Sequence, residues 1–248
     1  MSWPEGYGRR VLDSIDSTSA EAARSIPTLA GPEWIMARHQ TEARGRRGRR
    51  WINPVGNFSA TLVYRPTGSP QEAALRSFIA ALALFDAIAG VTGRVDGLAV
   101  KWPNDVLLNG GKLAGILLES QALKGGGFAL SIGIGVNLVQ APDACDVEEG
   151  AVRPVSLLSE TGCEVTPEAF LEALADAFAK WEMQFQQFGF APIREAWLAR
   201  AARLGEVIRA RTGSSEHVGT FETVDAIGQL VLKTSRGRQA IPAADVYF

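Results

Sequence analysis

The chain contains 248 residues, of which 46% are hydrophobic and 21% are charged. This composition is typical of a globular protein, and the length allows one large core or one core plus a small appended module. Because 25 Lys and Arg residues face 27 Asp and Glu residues, the formal net charge is −2, which argues against a broadly basic nucleic-acid-binding surface. The presence of only two histidines, His39 and His217, argues against a His-based metal site or catalytic triad.

We expect a cytoplasmic protein without membrane contact. The first ten residues, MSWPEGYGRR, lack the apolar core of a signal peptide. The longest apolar window, FIAALALFDAIAG, is too short to cross a bilayer and is interrupted by Asp86. The two cysteines, Cys145 and Cys163, show no metal-type spacing and predict no disulfide framework.

The first third of the chain predicts helices and strands in alternation. STSAEAARSI begins with capping residues and continues as an alanine-rich helix, and EWIMARHQ is a short apolar strand. NFSATLVYRP alternates as a second strand that stops at Pro66. PQEAALRSFIAALALFDAIAG has apolar residues at helical spacing over most of its circumference, which predicts a helix buried against a sheet and closed by Gly90.

The middle of the chain predicts a hairpin and a glycine-rich strand. In LAVKWPNDVLLNGGKLAGILLES, two β-rich stretches flank Asn-Gly-Gly, which is a strong hairpin signal, and GGGFALSIGIGVNL predicts a further strand. TPEAFLEALADAFAKWEMQFQQFG predicts a long core helix with Thr166 as its N-cap and Pro167 in its first position. A shorter helix carries Ile193, Trp197 and Leu204.

From Gly205 onward, short alternating strands are separated by Gly, Ser and Asp residues, which predicts a small all-β module of four or five strands. We therefore predict two domains, 1–204 and 205–248. Helices and antiparallel strands mix in the first of them without regular β-α-β alternation, which favours the α+β class.

The segment RGRRGRR, Arg44–Arg50, places five arginines and two glycines between two predicted strands. Such a run is often only solvated, or it binds nucleic acid. A third interpretation is a phosphate-binding loop, because glycines allow close backbone approach while guanidinium groups offer paired donors to phosphate oxygens. The run lacks the Gly-Lys-Ser/Thr ending of a Walker loop. Repulsion among its charges predicts that it is mobile until an anion arrives.

The combination of QTEARGRRGRRW, KWPNDVLLNGGKLAGILLES and GIGVN, in this order, resembles the biotin–protein ligase family over essentially the whole chain. The resemblance implies an α+β catalytic domain of the class II aminoacyl-tRNA-synthetase-like type, with a mixed or antiparallel sheet packed with helices, and a small SH3-like β-barrel at the C-terminus. Only fifteen residues precede Asp16, so the chain is similar to the monofunctional form without a DNA-binding module.

The resemblance also implies the reaction. The carboxylate of biotin attacks the α-phosphate of ATP, which gives biotinyl-5′-AMP and pyrophosphate, and a lysine of a biotin carboxyl carrier protein then takes the biotin. Neither step needs a nucleophile from the enzyme, so positioning and electrostatics carry the catalysis. The implied cofactor is Mg²⁺, and the implied partner is the carrier domain of acetyl-CoA carboxylase or a related carboxylase. DNA is not expected as a partner, whereas a homodimer through sheet edges is compatible with the family.

The family pattern assigns the acid-binding residues. Ser17, Thr18 and Ser19 match its Ser-Thr-Asn segment, with a serine where Asn is common. A helix cap is an equally good interpretation of Ser17. The remaining residues that match contacts to biotin or its adenylate are Gln40, Arg44, Gly45, Arg46, Lys112 and Gly115.

Three of these residues, Lys112, Arg46 and Arg44, are the predicted catalytic cations. On the nucleotide side the pattern implies roles for Lys101, Trp102, Asn104 and Asn137, with Trp102 lining the adenine end. Asp105 is a candidate ligand for Mg²⁺, which usually needs few protein carboxylates when triphosphate oxygens are present.

Two alternatives remain at this stage. A lipoate– or octanoate–protein ligase uses a related catalytic fold and the same adenylation chemistry, although RGRRGRR, KWPND and the small β-module disfavour it. A nucleic-acid-binding module that uses the arginine segment would usually carry a wide basic surface with interleaved aromatic residues.

Overall fold

A computed structural model describes residues 3–143, 150–213 and 215–248 of the chain. Seven strands form a large sheet whose spatial order is β1-β2-β3-β7-β6-β5-β4. Their bounds are β1 Gly8–Ile15, β2 Glu33–Gln40, β3 Phe58–Tyr64, β4 Leu98–Lys101, β5 Asp105–Leu108, β6 Gly111–Ala122 and β7 Phe128–Val136. β1 and β2 are parallel, and the other neighbouring strands are antiparallel, so the sheet is mixed as expected.

The helices lie on both faces of this sheet. Their bounds are α1 Thr18–Ser25, α2 Pro70–Ala74, α3 Arg76–Thr92, α4 Leu157–Thr161, α5 Pro167–Phe188 and α6 Phe190–Leu198. α3 and α5 bury their apolar residues together with one face of the sheet in the main core, and α1 covers part of the other face through a smaller cluster. The predicted N-cap of α5 is confirmed, since the Thr166 side chain accepts a hydrogen bond from the Ala169 N–H.

The helical stretch Pro70–Thr92 is longer than the sequence led us to expect. Its 23 residues are long and apolar enough to cross a membrane by length and composition alone, although 67% of its most apolar window is buried inside the protein. Phe78, Ile79 and Leu82 pack in the main core. This stretch is therefore a core helix, as its all-round hydrophobicity predicted.

A second, small sheet contains five strands in the order β11-β10-β9-β8-β12. Their bounds are β8 Val207–Arg211, β9 Glu216–Val224, β10 Leu230–Thr234, β11 Gly237–Ile241 and β12 Asp245–Tyr247. The neighbouring strands are all antiparallel. The expected all-β structure of this segment is confirmed. We call residues 205–248 the C-terminal module. The boundary at 204 stays a prediction.

The predicted hairpin at Asn109-Gly110 joins β5 to β6. The stretch before this turn contains two strands rather than one, because the chain reverses at residues 102–104 and pairs β4 with β5. Leu204 lies beyond α6, which ends at Leu198, so its placement in that helix was wrong.

Candidate active site

A cavity of about 430 Å³ opens on the face of the large sheet opposite α3 and α5. The arginine loop, Arg44–Arg50, and strand β12 of the C-terminal module both contribute to its wall. All the site residues predicted from the sequence, except Trp102, line this cavity. They come from five segments, 17–19, 40–46, 101–105, 112–115 and 137, so the fold brings together residues that are far apart in the chain.

Uncharged hydrogen-bonding groups form one part of the wall, which we call the hydroxyl end: Ser17, Thr18, Ser19 and Gln40. The Oε1 atom of Gln40 accepts hydrogen bonds from the Thr18 N–H at 2.7 Å and from the Thr18 hydroxyl at 3.1 Å. Ser17 occupies the N-cap position of α1 but makes no capping hydrogen bond through its side chain. Its Oγ lies 3.1 Å from the Oγ of Ser19 instead, so the structure favours a cavity-facing role over a capping role.

Two glycines form the floor of the cavity. Gly115 of β6 pairs with Gly135 of β7, and Gly135 pairs with Ser59 of β3. The indole of Trp51 lies against this glycine floor, since a Cβ built on Gly135 would be 2.5 Å from the Trp51 Cε2 and one on Gly115 would be 3.1 Å from its Cζ3. A side chain at Gly135 therefore cannot coexist with the ring in this position.

Lys101, Asp105 and Lys112 form a charged end of the cavity. The Lys112 Nζ lies 2.7 Å from the Asp105 Oδ1, and the Lys101 Nζ lies 3.6 Å from its Oδ2. Burial opposes ionisation of Asp105, but the two ammonium groups outweigh it and hold the pKa of this carboxyl below its usual range. Burial lowers the pKa of Lys101, and Asp105 counteracts that effect. The carboxylate thus places a negative charge between two lysine side chains beside the cavity.

Backbone contacts join the two ends of the arginine loop. Arg44 and Arg50 form an antiparallel bridge, and the Gly45 N–H donates to the Arg49 carbonyl at 2.7 Å. Arg46 begins a short 3₁₀ turn, Arg46–Gly48, and its guanidinium donates to the Asn104 Oδ1 at 3.1 Å. Burial lowers the pKa of Arg46, and the nearby Asp245 carboxylate counteracts that effect.

The two predicted asparagines are fixed by backbone carbonyls. The Asn104 amide donates to the Ile116 carbonyl at 2.6 Å, and the Asn137 amide donates to the Val155 carbonyl at 3.0 Å. Among the described residues, the Oδ1 of Asn137 is buried without a hydrogen-bond partner. An acceptor left in this state beside a cavity is available to a ligand.

Trp102 does not line the cavity, and the structure corrects this prediction. Its side chain is buried in the main core, and its Nε1 donates a hydrogen bond to the Gly228 carbonyl of the C-terminal module at 3.1 Å. A buried indole needs a partner for its N–H, and the partner here lies 126 residues further along the chain. Trp102 therefore attaches the C-terminal module to the large sheet.

The cavity residues that the sequence did not predict include Trp51, Ser59 and Asp245. Trp51 directly follows the arginine segment, so its position in the sequence could have predicted that it lies at the site. The Ser59 hydroxyl is buried without a hydrogen-bond partner among the described residues, and only the strand register reveals that it faces the glycine floor. Asp245 reaches the site from the C-terminal module, which no local pattern predicts.

Cationic side chains and uncharged hydrogen-bonding groups thus share one open cavity. This arrangement is typical of an enzyme that holds a small organic acid beside a nucleotide, because cations neutralise phosphate charge while the other groups orient the acid. The described residues of this cavity can therefore position two substrates and stabilise negative charge between them.

Comparison with known families identifies the class more closely. The model of the biotin/lipoate A/B protein ligase family matches residues 10–137, and the model of the biotin protein ligase C-terminal domain matches residues 204–248. The chain is 58% identical to the biotin–[acetyl-CoA-carboxylase] ligase of Paracoccus denitrificans over 238 residues, which are 96% of this chain and 99% of that relative. The chain belongs to the biotin/lipoate A/B protein ligase family.

More distant relatives agree with this assignment. The bifunctional ligase/repressor BirA of Bacillus subtilis is 32% identical over 95% of this chain and 73% of its own length. The biotin protein ligase from Aquifex aeolicus, solved in complex with biotin and ATP, has a TM-score of 0.80 at 22% identity, covering 96% of this chain and 97% of that one. At that identity the structural match shows the fold, which is the α+β fold expected from the sequence.

Proposed function

We propose that this protein is an ATP-dependent biotin–protein ligase that forms biotinyl-5′-AMP and transfers the biotinyl group to a lysine of a biotin carboxyl carrier protein. The observation that supports this most strongly is the arrangement of one cavity, in which a hydroxyl end, a flat glycine floor and a charged end follow one another across the sheet. The alternatives, a lipoate ligase and a nucleic-acid-binding module, account for less of this arrangement.

In the first step a carboxylate oxygen of biotin attacks the α-phosphorus of ATP, and pyrophosphate leaves. Two anions must approach each other, so the enzyme has to neutralise charge at the place where they meet. Lys112 is suited to this role because its side chain runs beside Gly115 and its Nζ is held 2.7 Å from the ionised Asp105. Arg44 and Arg46 contribute further cations from the loop that covers the cavity.

In the second step the amino group of the acceptor lysine attacks the carbonyl carbon of biotinyl-5′-AMP. The bond from this carbon to the phosphate oxygen breaks, AMP leaves with the bonding electrons as an anion, and the nitrogen of the new amide releases one proton to the solvent. Lys112, Arg44 and Arg46 remain beside that phosphate and stabilise the charge. The same cations therefore serve both steps, and neither step requires a nucleophile from the protein.

The hydroxyl end favours biotin over lipoate. A cyclic urea offers two N–H donors and a carbonyl acceptor, whereas a dithiolane or an alkyl chain offers no comparable hydrogen bonds. Ser17, Thr18, Ser19 and Gln40 stand at the hydroxyl end, and Ser59 adds a buried hydroxyl without a partner among the described residues. A polar wall of this kind rejects ligands that leave its groups unpaired.

Mg²⁺ is proposed to enter together with ATP. Among the described residues, no group of three or more His, Cys, Asp or Glu side chains could hold a metal ion. The ion needs only one or two protein oxygens when triphosphate oxygens and water complete its coordination. The Asp105 carboxylate and the unpartnered Oδ1 of Asn137 both belong to the cavity and fit that requirement. The bound ion would neutralise charge on the leaving pyrophosphate.

The proposed acceptor is the biotin carboxyl carrier of acetyl-CoA carboxylase, because the Paracoccus relative is named for that substrate. A homodimer in the cytoplasm is a further expectation. β1 stands at one edge of the large sheet, and an edge strand is a suitable surface for pairing with a second copy.

Pyrophosphate exchange into ATP tests the proposal. The exchange rate should be measured with biotin, with lipoate and without an added acid. We expect exchange only with biotin, because the adenylate forms reversibly when the correct acid is bound. Exchange with lipoate and none with biotin would contradict the proposed substrate, and exchange with neither acid would contradict the proposed reaction.

A further inference from the structure

We propose that Asp245 is a positioning residue that holds the arginine loop over the cavity before the nucleotide binds. The C-terminal module would thereby take part in nucleotide binding through one carboxylate. As far as it concerns ATP, this inference rests on the proposed function. The contact between Asp245 and the loop is a separate matter and can be tested without any ligand.

The Asp245 carboxylate lies close to three guanidinium groups of the arginine loop. The Asp245 Oδ2 accepts a hydrogen bond from Arg47 at 2.6 Å and another from Arg49 at 3.1 Å, while its Oδ1 lies 3.8 Å from the Arg46 Nη1. The Asp245 side chain is only 16% exposed, so solvent screens these contacts less than it screens a surface ion pair. Charge-assisted hydrogen bonds of this kind are stronger than neutral ones.

The backbone of the loop requires such an anchor. Arg47 has φ 58° and ψ 28°, which is the left-handed region that residues with a side chain seldom adopt. A conformation of this kind persists only where surrounding contacts enforce it. The shortest of the three ion pairs is the one between Arg47 and Asp245, so the anchor acts at the strained residue itself.

The anchor also changes the expectation about mobility. Five arginines in seven residues repel one another, which predicted a loop that is mobile until an anion arrives. Asp245 supplies an anion from within the protein. The loop can then be ordered in advance, and ATP need not bring about all of that ordering when it binds.

The arginines divide into two groups. Arg44, Arg46, Arg49 and Arg50 line the cavity, and Arg46 also contacts Asn104 beside the large sheet. Arg47 makes the shortest contact to Asp245 and does not belong to the cavity wall. Because its shortest contact is made to Arg47, which lies outside the cavity wall, Asp245 can position the loop without occupying every guanidinium group that faces the cavity.

The module that carries Asp245 has its own attachment to the sheet. The hydrogen bond from Trp102 to the Gly228 carbonyl and the shared apolar core hold the module in place. Asp245 lies on β12, which pairs with β8 through Arg211, Ala210 and Arg209. Replacing the Asp245 carboxylate therefore releases the loop and leaves the module attached.

Asp245→Asn tests the inference, because it keeps the size of the side chain and removes its charge. Glu222→Gln is the matched control, since it removes a carboxylate of the same module whose partner, Arg238, is on the surface away from the loop. The loop offers several cleavage sites for trypsin, so its order can be measured as a cleavage rate without ligand. We expect cleavage about ten-fold faster in Asp245→Asn, as expected for the loss of a charge-assisted hydrogen bond.

The same variants should then be compared in pyrophosphate exchange. Asp245→Asn should raise the KM for ATP about ten-fold with a smaller change in kcat, Asp245→Glu should restore part of the loss, and Glu222→Gln should behave like the wild type. Unchanged cleavage of Asp245→Asn, or a lower KM for ATP, would overturn the inference. If Asp245→Asn does not fold, Arg47→Gln breaks the same contact from the loop side and must raise the KM for ATP. A wild type without biotin-dependent exchange would contradict the proposed function and leave the cleavage result intact.

Discussion

The two faces of the large sheet have the same backbone and very different side chains. On β3, Phe58, Ala60 and Leu62 point into the main core. Ser59 and Thr61 alternate with them and point to the opposite face, where the Thr61 hydroxyl donates to Thr18 at 2.9 Å and Ser59 lines the cavity. Successive residues of a strand face opposite sides of the sheet. One set of alternate residues therefore packs in the core, and the other set faces the cavity.

This difference teaches that stability and function occupy alternate positions in the same strands. Residues of the core face bury apolar surface and gain from exclusion of water. Residues of the cavity face include hydroxyl and amide oxygens that have no hydrogen-bond partner among the described residues, and two glycines, which contribute no side chain to the apolar core. Substitutions on one face should therefore affect unfolding, and substitutions on the other should affect the reaction.

The largest effect is expected for Lys112→Ala on the cavity face. Biotin-dependent pyrophosphate exchange should fall about 10³-fold, the usual order for loss of a preorganised group that stabilises developing charge. The protein should remain folded by circular dichroism, since Asp105 keeps Lys101 as a counter-ion. Lys180→Ala, which removes an exposed lysine of α5, is the control and should retain full activity. Near-normal exchange in Lys112→Ala would refute the assigned role.

Phe58→Ala examines the core face at the residue next to Ser59. Phe58 is fully buried, and its ring centroid lies 5.0 Å from that of Phe170 on α5. Loss of this ring should lower the free energy of unfolding in urea by about 3–4 kcal/mol. The KM for biotin should stay near the wild-type value below the unfolding transition. A large change in the KM for biotin without a loss of stability would contradict the conclusion that the core face serves stability and the cavity face serves the reaction.

Gly135→Ala tests the glycine floor. A Cβ at this position would lie 2.5 Å from the Trp51 ring, so the indole must move away. We expect the Kd for biotin, measured by calorimetry, to rise about ten-fold, the cost of a modest loss of shape complementarity. Gly90→Ala is the control because its Cβ would meet no atom within 4 Å. Equal affinities of the two variants would mean that the floor does not contact the ligand.

The smallest effect is expected for Ser59→Ala. Removal of one hydrogen bond to a neutral group should raise the KM for biotin about two- to ten-fold. The melting temperature should stay the same or increase, because the variant loses a buried hydroxyl that has no partner among the described residues. Ser131→Ala removes another buried serine of the large sheet that does not line the cavity, and its KM should not change. A lower melting temperature with an unchanged KM would assign Ser59 a purely structural role.

Much of the fold could be predicted from local signals. The Asn109-Gly110 turn, the Thr166 cap and the apolar periodicity of α3 depend on residues that are neighbours in the chain, and the structure agrees with each. The position of most candidate site residues on one cavity was expected from motifs that follow short stretches of sequence.

The remaining features depend on contacts between distant residues. The Trp102 side chain lies in the core, where its N–H donates to the Gly228 carbonyl. Asp245 belongs to the site because β12 lies beside the arginine loop. The role of Ser59 depends on the register between β3 and β7. None of these relations leaves a periodic pattern, a cap or a turn signal in the sequence.

The most direct test of the account is a single-turnover reaction of the wild-type protein with biotin and ATP in the absence of any carrier protein, analysed by mass spectrometry. The account predicts that biotinyl-5′-AMP accumulates to about one molecule per chain and stays bound, with one pyrophosphate released for each adenylate formed. Consumption of ATP without any acyl-adenylate, or an adenylate formed from lipoate in preference to biotin, would contradict it.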